Sequence, residues 1–181
     1  MLSDASMLEF FHQALSDAQD EHGVELSDLS RYYLVRLLAD RGLEPAAQGG
    51  TLAELRLQAA QLPPARSLPL YRELGDQALY VGGYFPDSLR GVGVDYCAEM
   101  GGAAYACVAG GRRDSLSEMF WELARGFRGC LALLSDVSRQ TRAAAETDLM
   151  ALYELWLTTR DRHAARRLMA LGMLPAEPAS G

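Results

Sequence analysis

Apolar residues recur along this chain at spacings of three and four, and no segment sustains a period-two alternation. That pattern predicts amphipathic helices and no sheet. The first helix is expected over Met7–His22, with Leu8, Phe11, Leu15 and Ala18 inward and a stop at Gly23. Ser27 is placed to cap the second, "DLSRYYLVRLLADR", whose Leu34, Leu37 and Leu38, with Tyr33 beside them, form a stripe ending at Gly42. "GLEPAAQGG" reads as a loop, a short third helix as Leu52–Gln61, and "PPARS" as a break. Pro69 suits the first turn of a fourth helix that must end before Pro86. Beyond the turn "PDSLRGVG", Asp95 is placed to cap a fifth helix closed by Gly110 and Gly111. A long sixth helix is predicted over Leu116–Arg139, a seventh over Arg142–Thr159, and a last one in "RHAARRLMAL", stopped by Gly172.

Three S/T-x-x-E boxes, Ser6–Glu9, Thr51–Glu54 and Ser115–Glu118, match the reciprocal cap in which hydroxyl and carboxylate each satisfy a first-turn N–H. The expected fold is therefore all-α: a single compact bundle of seven to eight helices over residues 1–175, with a loose tail over 176–181.

One stretch departs from plain amphipathic helix. "GDQALYVGGYFPDSL", residues 75–89, holds three glycines and three aromatics. Gly75, Ala78 and Gly82 share one helical face, and Ala98, Gly102, Ala106 and Ala109 share another, with Cys97, Gly101 and Ala104 beside them. Glycine inside a helix costs about 1 kcal/mol relative to alanine, which close backbone approach can offset. The expectation is an antiparallel hairpin of the fourth and fifth helices whose small faces touch. The alternative is a cavity between these helices, around residues 70–84 and 95–109, offering Asp76, Tyr80, Tyr84, Tyr96 and Glu99 to a flat ligand. In either case Asp76, beside a small-residue face, needs a partner such as Arg72.

Composition narrows the function classes. The formal charge is −7, and all 17 basic residues are arginine, a bias that points to a GC-rich bacterial genome. An acidic chain repels phosphate backbones at long range and argues against general nucleic-acid binding. No apolar run is long enough to span a bilayer and no signal-like leader opens the chain, so a cytoplasmic protein without membrane insertion is expected. Cys97, Cys107 and Cys130 lack ligand spacing, and the first two stand ten residues apart on one helix, about 15 Å. They are read as buried, reduced thiols.

Glu9-x-x-His12 has the spacing of carboxylate-bridged metal helices, but no second such pair exists, so no metal or other cofactor is expected. No nucleophile elbow or phosphate loop occurs, and no cysteine is joined to a base, so no catalytic residue is assigned. "MFWEL" and "LYELWL" are read as mostly core, with Trp121 or Trp156 near the rim. The one basic patch lies near the C-terminus: Arg160, His163 and Arg167 on one face, Arg162 and Arg166 on another. It either pairs within the fold or meets an acidic partner.

The leading expectation is a non-enzymatic cytoplasmic helical module, regulatory or scaffolding, that binds another protein through this patch or an exposed apolar surface, a homodimer being one form of such pairing. The alternative is the small-molecule-binding or enzymatic bundle with the cavity described above.

Overall fold

In a computed structural model the described residues are 4–41, 51–86, 93–160 and 162–173. Among them the chain forms α1 (Asp4–His22), α2 (Asp28–Arg41), α3 (Leu52–Ala60), α4 (Pro64–Leu79), α5 (Val94–Gly110), α6 (Ser115–Arg125), α7 (Phe127–Thr159) and α8 (Arg162–Ala170), with no strand. α4 runs directly into a π-helical turn, Tyr80–Tyr84. No described helix is long and apolar enough to cross a membrane. The chain divides into two compact units, Met1–Ser138 and Arg139–Gly181.

Local chemistry explains most boundaries. Gly23, at φ 62°, ends α1 in the left-handed region that costs glycine nothing. Ser27 caps α2, its Oγ accepting the Ser30 N–H at 3.2 Å. Thr51 and Glu54 form the full reciprocal box, with Glu54 N–H donating to Thr51 Oγ1 and Thr51 N–H to Glu54 Oε2. Gly42, expected to end α2, lies outside the described residues.

Several boundaries differ from expectation. Ser6 lies inside α1, which already runs from Asp4. Asp114, one residue ahead of Ser115, occupies the N-cap of α6, and Gly93 rather than Asp95 that of α5. Asp95 sits in the first turn of α5, where a carboxylate still complements the helix dipole, and it pairs with Arg128. α4 begins at Pro64 in place of Pro69, because the Pro63–Pro64 pair already supplies a pre-set entry. Pro69 is interior, and the carbonyl it leaves unbonded belongs to exposed Ala65. The long sixth helix breaks at Gly126, and α7 then runs through positions 140–141, where no breaker stands.

In the first unit, Phe11, Leu15 and Ala18 of α1 and Leu34, Leu37 and Leu38 of α2 are buried as their spacing predicted. They share one core with Leu74, Tyr80, Tyr105, Phe120, Leu123 and Leu134. The α6–α2 contact carries a polar clasp. Glu122 accepts the Ser27 N–H at 2.8 Å, the Ser27 hydroxyl at 2.6 Å and the Ser30 hydroxyl, so a carboxylate from another helix closes the start of α2.

The glycines of α4 and α5 are filled spaces. A Cβ on Gly82 would stand 2.7 Å from Cys97 Cβ, and one on Gly75 would overlap the Tyr105 ring, with Cζ at 3.0 Å. Rising positions on α4 thus meet falling positions on α5, the antiparallel hairpin that was expected. The match differs in kind, because glycine faces a large ring at Gly75 and again at Gly101, where a Cβ would lie 2.6 Å from Phe127 Cε1. Gly83 turns toward α7 instead, 2.8 Å from Leu134 Cβ by the same measure.

In the second unit, α7 ends on Arg160, a non-glycine residue at φ 50°. Its guanidinium folds back over the Trp156 ring, 4.4 Å from the centroid, an attraction of about 0.5–1 kcal/mol that offsets the left-handed backbone. α8 buries Ala164 and Leu168, and Gly172 at φ 73° closes it as predicted.

Candidate functional site

The most concentrated buried polar chemistry of the first unit lies around Asp76, which is only 7% exposed. Its position follows from the dipeptide Gly75–Asp76. The missing side chain at Gly75 lets the Tyr105 ring lie across α4, and that ring carries its hydroxyl to the next residue. Tyr105 Oη donates to Asp76 Oδ1 at 2.7 Å, and Tyr33 Oη of α2 donates to the same oxygen at 2.5 Å. Arg72, one turn earlier on α4, donates from Nε to Tyr33 Oη at 3.0 Å and stands 3.7 Å from Asp76 Oδ2. Tyr33 and Tyr105 pack edge to face, and both pack on Phe120.

Electrostatics follow from this enclosure. Burial raises the Asp76 carboxyl above the ordinary aspartate range, although the two phenols, Arg72 and Arg41 all pull it down. Burial and the adjacent carboxylate raise both phenols well above the usual tyrosine value. Each tyrosine is therefore a fixed neutral donor across the physiological range. α2, α4 and α5 each contribute to this joint.

Two surface depressions share Arg72, Glu73 and Asp76. One, of about 370 Å³, is completed by Leu68, Pro69, Val108 and Arg112, and the other, of about 220 Å³, by residues of α2. The arginines on their rims have acidic partners: Arg41 with Glu73, Arg36 with Asp40, and Arg112 with Asp114. Of the five residues weighed for a ligand, only Asp76 lines these depressions. Tyr80 and Tyr84 lie stacked in the core, with centroids 5.8 Å apart, while Tyr96 and Glu99 are exposed on α5.

Spacing pointed to Arg72 as the partner of Asp76, but the stronger partners are the two tyrosines. Tyr33 had been placed with the apolar stripe of α2 and Tyr105 beside the glycine seam; the usable signal was an acid directly after a helical glycine.

The cysteines are unreactive where they are buried. Burial raises the Cys97 thiol, and pushes that of Cys130 up to about 12. Cys107 is exposed, contrary to expectation, because it falls on the outer face of α5. Among the described residues no three His, Cys, Asp or Glu side chains converge as metal ligands.

In the second unit Arg166 is exposed on α8 and Arg160 is engaged with Trp156. The side chains of Arg162, His163 and Arg167 lie outside the described residues. Of the residues read as core in the aromatic clusters, Phe120 and Leu123 are buried, whereas Leu157 is 46% exposed. Trp121 lies at the rim as expected. Comparison with protein-family models, curated proteins and solved structures gave no match to this chain.

Proposed function

We propose that this chain is a non-enzymatic helical module of the cytoplasm that binds another protein through residues 139–173. One observation carries the reading. Met150, Leu155 and Leu157 of α7, with Leu171 and Met173 beyond α8, each keep 45–59% of their surface exposed. Apolar side chains grouped in this way on one short stretch favour a partner that covers them. The arginines of α8 supply a charge that an acidic rim on the partner would complement. The Asp76 joint supports the same reading, since its hydroxyls and carboxylate are already committed to holding three helices together.

A photo-crosslinking side chain placed at Leu157 in the full chain is expected to yield a discrete adduct, while the same group at exposed Gln58 yields none. An adduct of twice the chain mass would identify the partner as a second copy. Arg162→Gln with Arg166→Gln should weaken the adduct and flatten its salt dependence. Equal labelling from both positions, or none from Leu157, would remove the proposal.

A further inference from the structure

A third depression, of about 490 Å³, lies at the α1–α2 turn, and its chemistry differs from that around Asp76. Its walls are polar: Ser16, Gln19 and Asp20 from α1, Glu25 from the turn, and Arg31 from α2, with Val24 and Leu26 as apolar floor. Gln19 is 8% exposed and uses its amide nitrogen to hold the Val24 carbonyl at 3.1 Å. That bond fixes the orientation of the amide, and its Oε1 is left buried without a hydrogen-bond partner. Arg31 Nε is likewise buried and without one, and no described carboxylate lies within ion-pairing distance of its guanidinium. One acceptor and one cationic donor on the same walls are therefore unspent, in a protein where buried polar groups are otherwise paired.

We infer that this depression is a binding site for a small α-amino acid with a cationic side chain. The inference is independent of the protein-binding surface on residues 139–173. The guanidinium of Arg31 calls for a carboxylate, the preferred partner of its forked donors. A plain inorganic anion is disfavoured, because Asp20 and Glu25 stand on the same rim. A simple cation or diamine is disfavoured by Arg31. The lining carries one positive and two negative side chains, so the complementary ligand has one carboxylate and two cationic groups. The α-ammonium is then the donor for Gln19 Oε1, and the side-chain cation faces Asp20 and Glu25. No aromatic ring lines the walls, which removes the usual platform for a nucleobase.

The test uses the full chain at matched ionic strength, with calorimetric titration of L-arginine and L-lysine beside L-alanine and agmatine, the arginine analogue without its carboxylate. Saturable binding of the two basic amino acids is expected, with L-alanine and agmatine each at least about tenfold weaker, the loss of one charged contact. Arg31→Gln should weaken L-arginine about tenfold and leave agmatine unchanged. Asp20→Asn, on an exposed position, should instead erode the preference for L-arginine over L-alanine. Amide resonances of Gln19 and of Gly23–Leu26 should move on titration. No saturable binding, agmatine binding as well as L-arginine, an Arg31→Gln variant that binds like the parent, or shifts confined to other residues would each overturn the inference.

Discussion

Asp76 and the Gln19–Arg31 pair are both buried polar chemistry within the first unit, and they have been treated in opposite ways. Asp76 accepts two phenols on one oxygen and has a guanidinium near the other, while its glycine neighbour presses against a ring. Gln19 Oε1 and Arg31 Nε have no partner, and the nearby turn is loosely packed: a Cβ on Gly129 of α7 would meet Val24 at an ordinary 3.6 Å. A satisfied network specifies a fold, because removing any member strands the rest. Unspent hydrogen-bonding capacity costs stability, about 1–3 kcal/mol for each stranded group, and is more economically explained by a ligand than by architecture. The difference separates a joint from a receptor site within one helical domain.

The sharpest way to break this contrast is with paired glycine substitutions. Gly101→Ala forces a methyl into Phe127, itself 2% exposed, and should destabilise by about 1–3 kcal/mol in a denaturant titration. Gly129→Ala should stabilise by about 0.5–1 kcal/mol, since it gains helix propensity and a normal contact with Val24. If both variants lose stability alike, the close packing is not special to α4 and α5. A second pair probes the polar groups. Tyr105→Phe leaves a buried carboxylate short of one donor and should cost about 1.5–3 kcal/mol. Arg31→Met keeps the packing stem and loses only unpaired nitrogens, so it should change unfolding by about 0.5 kcal/mol or less, or stabilise. A comparable loss from both would dissolve the distinction.

The smallest effects are slopes against pH. Burial is the largest influence on Asp76 and holds its folded value above the unfolded one of about 3.9. Its contribution is therefore complete below about pH 4 and is lost as pH rises through the folded value. Glu122 is the reverse: burial alone would raise it, but the bonds from Ser27 and Ser30 win and hold it low. Its contribution is present above about pH 4.3, the unfolded value, and is lost as pH falls through the folded one. Stability measured from pH 3 to 7 should therefore move in favour of Asp76→Asn relative to the parent as pH rises, and against Glu122→Gln. Slopes of one sign for both would refute this account of the two carboxylates.

Much of this was legible in the residues themselves. Local signals that act within a turn or two, such as the Thr51–Glu54 box, Gly23, Ser27 and Gly172, were read correctly because their partners are adjacent in sequence. Gly126 was passed over because a glycine within an apolar pattern has the same appearance whether the helix breaks there or not. The tyrosine partners of Asp76 lie 43 and 29 residues away, and periodicity carries no information about which hydroxyl arrives. The unpartnered state of Arg31 was invisible for the same reason: a missing partner is a property of the assembled fold.

The π-helical turn at Tyr80–Tyr84 has an ancestry written into it. A turn of this kind holds one residue more than the helix around it, the footprint of a single-codon insertion that the surrounding packing absorbed. Excising one residue between Val81 and Gly83 would restore a plain helix and swing everything beyond it by about 100°. Tyr84 would then leave its stack on Tyr80, and the glycine that meets α7 would turn away from it. Descendants of this gene can lengthen their loops freely, but at this place they are locked to the present reading count.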